Sequence, residues 1–432
     1  MPIFSAPKGT HDILPDQYYA REHVARTILG VLEKYGFRQV MTPDFEEIEV
    51  LKAKAGEQIL EQIYEFHDKG NRHLGLRSDI TASVGRLIAP QLGSLPKPVK
   101  ISCYDRVWRY ESPQSGRYRE FFQINAEIFG AGNVISDAEL LACFCECYDA
   151  IGLTDYKIHI GHRPLLENFI KTLGVTDEML LPVIRAVDKV LKMNKEKFED
   201  EVVQAGLPKN SLVDLEIFTN LRGPLSQVIE KAKGLYYSLE TVRPSLDQLT
   251  ELIEKLKLYN IDSKCILNLA IARGSDYYTG VIFECVYNTK LVGSIGGGGR
   301  YDNLVEIYGG PQTPATGFSI GFERVVTLLN QLEGFDPLSY IPQVDYYIIP
   351  IDSFCVRDVI DIAKTLRAQN KKVEIDLLNR KVKAQLSHAS KIGAKWVIII
   401  GPDEIAKNQI VLRNMKTNEE QKIMIHEFLN RS

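Results

Sequence analysis

Apolar residues recur at helical spacing through residues 16–36, where Val24, Ile28, Val31, Leu32 and Tyr35 share a face and Gly36 closes the segment. Extended segments follow at 38–41 (just before Pro43), 72–76, 100–111 and 121–129. Ser136-Asp-Ala-Glu139 has the spacing of a capping box and predicts a helix running to about Ile151. Residues 156–161 read as another strand. From 171 to 256 Lys, Glu, Leu and Val recur at helical spacing, and we expect a helical insertion that interrupts the sheet. Strand-like, glycine-rich sequence resumes at about Leu267. Gly334, Pro337 and Pro342 mark a linker at 331–343. Beyond it strand and helix alternate (345–351, 354–368, 372–377, 383–393, 396–400), which predicts a compact α/β domain with a mostly parallel sheet.

The alternation is most informative between 106 and 129. On the second strand Phe122, Ile124, Ala126 and Ile128 form an apolar face, while Phe121, Gln123, Asn125 and Glu127 form the other. On the first strand Arg109 and Glu111 share a face opposite to Trp108 and Tyr110. A sheet supported on one side by core thus displays a polar array on the other, as a ligand-reading surface does. The connection 112–120 is too long for a tight hairpin and adds Arg117 and Arg119.

Three further clusters lie between 273 and 324: Arg273-Gly-Ser-Asp-Tyr-Tyr278, Gly296-Gly-Gly-Gly-Arg-Tyr-Asp302 and Gly317-Phe-Ser-Ile-Gly-Phe-Glu-Arg324. Each sets a cation or a phenol beside glycines, which let backbone approach a ligand closely. Arginine supplies a fork of donors for carboxylate and phosphate. One such cluster fits a strand end with a tight turn; three together point to a pocket for a small zwitterion and a polyphosphate. The run Gly297–Gly299 alone is ambiguous between a phosphate cradle and a close approach of strands.

Composition narrows the class. At 432 residues, 45% hydrophobic and 25% charged, the chain is expected to form two or three globular domains, and no apolar run is long enough for a membrane span. The N-terminus lacks the pattern of a signal peptide. Seven cysteines, an odd number, argue against a disulfide framework and fit a reducing cytoplasm. Cys143, Cys145 and Cys147 lie at a spacing that scatters them around a helix, so they do not make a metal site. The net charge of −4 carries no global nucleic-acid signature, but residues 344–432 hold 15 Lys+Arg against 11 Asp+Glu. That excess hints at an anionic partner for the C-terminal part. No dinucleotide fingerprint or Walker loop occurs there.

Arg109-Tyr-Glu followed by Arg117-Tyr-Arg-Glu-Phe-Phe-Gln123 resembles motif 2 of the class II aminoacyl-tRNA synthetases. Gly321-Phe-Glu-Arg324 resembles motif 3, and the segment at Pro43 resembles motif 1, which in that class sits at the dimer interface. Arg273–Tyr278, Gly298-Gly-Arg-Tyr-Asp302 and the opening Pro7-Lys-Gly-Thr-His-Asp-Ile-Leu-Pro15 are similar to signatures of the histidyl-tRNA synthetase family. The resemblance runs from residue 7 to the end. It implies a class II-type antiparallel sheet flanked by helices over 1–330, an α+β core carrying the helical insertion, and an α/β anticodon-binding domain at 344–432.

The roles that the resemblance implies are these. Arg109 and Arg324 grip ATP phosphates, Glu111 helps set ATP with Arg117 and Tyr118 from the same motif, and Phe121 stacks on adenine. Asp79, Thr81 and Gln123 hold the α-amino group of histidine. Glu127, Tyr278 and Tyr301 read its imidazole, with Tyr277 alongside. Arg273, with Arg109 and Gln123, belongs to the catalytic set and neutralises the histidine carboxylate and the α-phosphate. Asp79 stands where some members carry glutamate, and Ser112 and Phe122 where many carry arginine and histidine; neither of the latter faces the expected pocket. The implied activity is ATP-dependent charging of histidine tRNA by a cytoplasmic homodimer, with Mg²⁺ expected and its ligands not assigned. The alternative is a histidine-binding regulatory paralogue without aminoacylation activity, and a more distant one is a non-catalytic RNA-binding module on the same fold. The C-terminal domain and the catalytic arginines disfavour the first, and the arginines at 109, 273 and 324 disfavour the second.

Overall fold

The fold was taken from a computed structural model that describes residues 4–431 apart from 55–56, 113–115, 191–192, 273–276 and 290–291. The chain divides into two compact units, Met1–Pro337 and Leu338–Ser432.

The first unit is built on a nine-stranded sheet. Its spatial order is Arg38–Gln39, Val99–Trp108, Glu120–Phe129, Ala315–Gly321, Ser294–Arg300, Val281–Tyr287, Tyr156–His162, Cys265–Asn268, Arg222–Pro224. Pairing is antiparallel except at 38–39 with 99–108 and at 156–162 with 265–268. Two helices, Pro15–Lys34 and Val134–Ala150, cover one face. Val24, Ile28 and Leu32 of the first, and Leu141 and Phe144 of the second, share one core with Ile124, Ala126, Ile128 and Ile320 of the sheet. The expected apolar face of the 120–129 strand is therefore the core face. Gly36, at φ +82°, takes a backbone that other residues rarely adopt and stops the first helix. The short helix Ile80–Ile88 packs on the opposite face, around Ile101, Val107, Ile282 and Tyr301.

The expected capping box does not cap. The helix begins at Val134 and its cap is Asn133, whose side chain accepts from Ser136 N at 3.3 Å. Ser136 and Asp137 are claimed instead by the buried guanidinium of Arg300, at 2.8 Å from the Ser136 hydroxyl and at 2.9 and 3.1 Å from the two Asp137 oxygens. Glu139 turns outward to Lys100. The helical segment starts earlier than the 171 expected, because strand Tyr156–His162 runs directly into helix Arg163–Thr172, capped by His162. It ends with helix Arg243–Leu258. Its strand Arg222–Pro224 adds an edge to the sheet, so the segment extends the sheet as well as interrupting it.

The second unit carries a five-stranded sheet in the order Val373–Ile375, Tyr346–Pro350, Trp396–Ile400, Gln409–Asn414, Glu420–Met424. The first three strands are parallel, but the last two form an antiparallel hairpin, so the sheet is mixed rather than mostly parallel. Strand Glu420–Met424 is exposed along most of its length and lacks the apolar alternation by which a strand is recognised.

Arg300 ties the 294–300 strand to the start of the 134–150 helix from a buried position, and its partners Asp137 and Asp302 have no other cation within bonding distance among the described residues. Arg300→Met should strand a buried carboxylate and lower unfolding stability by about 3–5 kcal/mol, measured by urea denaturation.

Candidate functional site

The two strands of the 99–129 hairpin place the site. Their register sets Asp105 opposite Gln123, Cys103 opposite Asn125 and Ile101 opposite Glu127. On its other side the 120–129 strand pairs with 315–321, which brings Gly317 beside Glu127 and Ser319 beside Asn125. A pocket of about 310 Å³ opens over this face. Asp79, Thr81, Arg109, Glu111, Arg117, Tyr118, Phe121, Gln123, Glu127, Tyr277, Tyr278, Tyr301 and Arg324 all line it.

One end is built around carboxylates. Glu127 is buried, and its Oε1 accepts from the Thr81 hydroxyl at 2.7 Å, while its Oε2 has no partner. The Tyr301 hydroxyl and Gln123 Oε1 are likewise buried and unpartnered. Unpaired buried polar atoms are costly, and their convergence marks where a ligand's donors and acceptors belong. Glycine is required at 317: a Cβ there would overlap Glu127 Oε2 and the Tyr301 hydroxyl. Gly298 is required by the neighbouring strand, since its Cβ would overlap Gly317 O. Close strand approach therefore accounts for Gly298, while Gly296, Gly297 and Gly298 also line the pocket. Asp79 caps the Ile80–Ile88 helix, accepting from Thr81 N at 2.6 Å, and pairs with Lys54 at 3.1 Å. Burial works to raise its pKa, but the charges of Lys54 and Arg109 and the bonds from Lys54 and Thr81 hold it below the usual carboxylate value. Asp44 and Asp105 flank the fully buried Arg77, which also holds the carbonyls of Thr42, Pro43 and Arg106 and so fixes the segment that delivers Asp79.

The other end is cationic. Arg109 Nε donates to Ser78 O at 2.8 Å and its guanidinium lies 5.3 Å from the centre of the Phe121 ring. Arg117 pairs with Glu111 at 3.2 Å. Arg324 donates to the Ser294 carbonyl; burial, followed by the charge of Arg117, lowers its pKa. Three guanidiniums facing one space need an anion between them. His11 packs against Tyr118, ring centroids 4.5 Å apart and tilted by 39°, and Gly9 O accepts from Arg119 N, so the N-terminal segment buttresses this loop. Glu323, two-pronged on buried Arg21 at 2.6 and 2.8 Å, fixes the start of the helix that carries Arg324.

Arg273 lies outside the described residues. Arg300, within the second glycine cluster, turns away from the pocket to Asp137. Phe122 lies on the core face and Ser112 is exposed outside the pocket lining. Glu284, Ser319 and Lys54 were not foreseen. Glu284 is a lone charge in the apolar strand Val281–Tyr287, a signal that could have marked it. The Ser319 hydroxyl is a further unpartnered buried atom in the pocket. Among the described residues no group of three or more His, Cys, Asp or Glu is arranged to hold a metal ion, and no helix is long and apolar enough to cross a membrane.

Comparison with known proteins gives a consistent picture. The family model "Histidyl-tRNA synthetase" matches residues 9–325, and "Anticodon binding domain" matches 345–431. The histidine--tRNA ligase of Pyrococcus furiosus is 39% identical over 98% of this chain and 97% of its own. That of Thermococcus kodakarensis is 39% identical over 98% of each. The crystal structure of histidyl-tRNA synthetase from Nostoc sp. PCC 7120 superposes over 100% of both chains with a TM-score of 0.81 at 26% identity.

Burial pushes the Glu127 carboxyl up to about 8, against the opposing pull of the Thr81 hydroxyl and Lys54. A carboxyl whose folded pKa exceeds its unfolded value adds nothing below the unfolded value and costs stability as pH rises towards the folded one. Glu127→Gln should therefore gain thermal stability relative to the parent chain as pH is raised from about 5 to about 8, measured as the difference in melting temperature across that range.

Proposed function

The chain belongs to the histidyl-tRNA synthetase family, and from that premise we propose which of its residues perform each part of the family's reaction. The activity is ligation of histidine to tRNA at the expense of ATP. Residues 1–330 act as the catalytic domain, 331–343 as a linker and 344–432 as the anticodon-binding domain. The observation that carries the assignment is a single pocket with buried, unpartnered Glu127, Gln123 and Tyr301 atoms at one end and three arginines at the other.

Histidine enters the carboxylate end. Its α-ammonium meets Asp79, Thr81 and Gln123; its imidazole meets Glu127 Oε2 and the Tyr301 hydroxyl, with Tyr277 and Tyr278 forming the aromatic wall. A ligand without ring nitrogens would leave those buried groups unpaired, which is how such a site rejects isosteres. Phe121 stacks on adenine, and Arg109, Arg117 and Arg324 receive the phosphates, with Glu111 orienting Arg117. A histidine carboxylate oxygen attacks the α-phosphorus, the bond from that phosphorus to the bridging oxygen breaks, and pyrophosphate leaves. Both reactants are anions, so fixed guanidiniums suppress their repulsion and stabilise the charge that develops; Arg273 takes that role at the carboxylate on the strength of the family motif. In the second step a hydroxyl at the tRNA 3′ end attacks the activated carbonyl and AMP departs.

Mg²⁺ when bound would neutralise the polyphosphate charge. Glu284 fits as its protein ligand, being a pocket carboxylate without an ion pair among the described residues, with the remaining positions filled by substrate and water oxygens. We assign the chain to the cytoplasm, supported by its seven free, buried cysteines. We assign it a homodimer through the edge strand Arg38–Gln39, beside which Met41 is 85% and Phe45 51% exposed. In the C-terminal unit Lys372, Lys381 and Lys383 are exposed around Leu377 and Leu378, a mixture suited to RNA phosphates and unstacked bases.

The full chain should catalyse ATP–pyrophosphate exchange with histidine and no other amino acid, without tRNA; exchange that is absent, or equal with other amino acids, defeats the assignment. Glu127→Gln should raise the histidine KM roughly ten- to hundredfold, the worth of a charge-assisted hydrogen bond of about 1.5–3 kcal/mol, with the ATP KM nearly unchanged. Removing residues 344–432 should leave exchange largely intact while abolishing tRNA charging; joint loss of exchange and of the dimer would make that domain a scaffold instead.

A further inference from the structure

Lys54 has no part in the roles above, yet its placement demands one. It lies just beyond the short helix Ile48–Lys52, with a side chain only 6% exposed. Its Nζ is 3.1 Å from Asp79 Oδ1 and 4.4 Å from the centre of the Tyr277 ring. A buried ammonium is costly unless it is paired, and the pair it joins is unusual. Thr81 links two carboxylates, donating its N–H to Asp79 Oδ1 at 2.6 Å and its hydroxyl to Glu127 Oε1 at 2.7 Å. Bringing two anions to one threonine in a buried site favours protonation of one of them. Lys54 is the cation that acts on both.

We propose that Lys54 is a positioning residue for the amino-acid substrate: it pins Asp79 through Oδ1, which leaves Asp79 Oδ2 to receive the α-ammonium of histidine. This rests on the assignment of Asp79 to that ammonium. Two observations favour it over a lysine that merely fills the ammonium's place until substrate arrives. Lys54 does not line the pocket, although Asp79, Thr81 and Tyr277 do, so it reaches the carboxylate from behind the wall. Both of the Asp79 bonds go to the same oxygen.

The electrostatics agree. Burial is the largest influence raising Glu127; Lys54 opposes it and Asp79 reinforces it. Among the described residues, the titratable groups facing Glu127 are Lys54, Asp79, the Tyr301 hydroxyl from across the glycine gap and the Cys103 thiol from the adjoining strand. The thiol is itself raised to about 12, chiefly by burial, and stays neutral. Lys54 is thus the one cation among these groups, and its loss would move Glu127 further up.

The test is ATP–pyrophosphate exchange by the full chain carrying Lys54→Met, Lys54→Gln or Lys54→Arg, with Asp79→Asn as reference. Lys54→Met and Lys54→Gln should each raise the histidine KM roughly tenfold, about 1.4 kcal/mol, with the ATP KM unchanged. Lys54→Arg should restore most of the loss. The limb of the histidine pH profile that belongs to Glu127, near pH 8, should shift to higher pH in the Met and Gln variants, which a purely structural role would not produce. If Lys54→Met fails to fold, the neutral but polar Gln variant, with histidine binding read by calorimetry, decides the question. An unchanged histidine KM overturns the proposal, and a lowered one makes Lys54 a stand-in for the substrate. If Asp79→Asn leaves the histidine KM unaltered, the Asp79 assignment itself has failed; impairment by Asp79→Asn with none from Lys54→Met overturns the Lys54 role alone.

Discussion

A polar pocket in the middle of a sheet is possible only where the strands give up their side chains, and that constraint governs this molecule. Between Glu127 and Tyr301 stands Gly317, and on strand 294–300, where it closes against Gly317 of strand 315–321, stands Gly298. Any Cβ at 317 would occupy the space where the carboxylate and the phenol meet. The same strands are fully used on their other face, where Phe318 and Ile320 pack into the core with Ile124, Ala126 and Ile128. The sheet is thus a rigid plate: apolar burial on one side fixes the positions of groups on the other to within the tolerance that recognition needs.

Rigidity of this kind explains why so many charges surrounding the pocket are structural. Arg77 gathers the carbonyls of Thr42, Pro43 and Arg106 before the chain reaches Asp79; Arg21 grips Glu323 beside Arg324; Arg300 anchors the end of its strand to Asp137. None of these three is available to a substrate. Each satisfies donors and acceptors that would otherwise be buried without partners, and each fixes the backbone next to a group that is available. An arginine near a pocket is therefore not evidence of a phosphate contact until its fork is shown to be free. Arg109, Arg117 and Arg324 differ because they face a common space and have more cation than carboxylate between them.

The pocket has opposite polarity at its two ends, which suits a reaction that joins a zwitterion to a polyanion. In the proposed reading the carboxylates at one end suit the ammonium and the ring, and the guanidiniums at the other suit the phosphates. Such separation would be difficult in water-filled space, where screening blurs the two fields. Here burial reduces that screening at a cost to the charged forms, lifting the Glu127 pKa and lowering that of Arg324, a cost that a ligand of opposite charge offsets.

The sequence by itself determined much of this. Strict alternation in 121–128 predicted which face of that strand is core and which is pocket, because a pleated strand leaves a side chain no other choice. Thirteen of the fourteen expected site residues line one pocket, and the other, Arg273, lies outside the described residues. Helical periodicity found the 15–34 helix, and glycine marked its end. What the sequence could not settle were matters decided by distant partners. Ser136 and Glu139 spelled a capping box, but Arg300, brought from a remote strand, claimed Ser136 and left the cap to Asn133. The polar strand Glu420–Met424 is held by its hairpin partner rather than by any apolar pattern of its own. Lys54 stands just after a short helix, at Ile48–Lys52, and nothing local distinguishes it from a solvated lysine. Only tertiary packing, which buries it against Asp79 and Tyr277, makes its charge count, because a charge acquires structural meaning when water is removed from around it and a partner takes water's place.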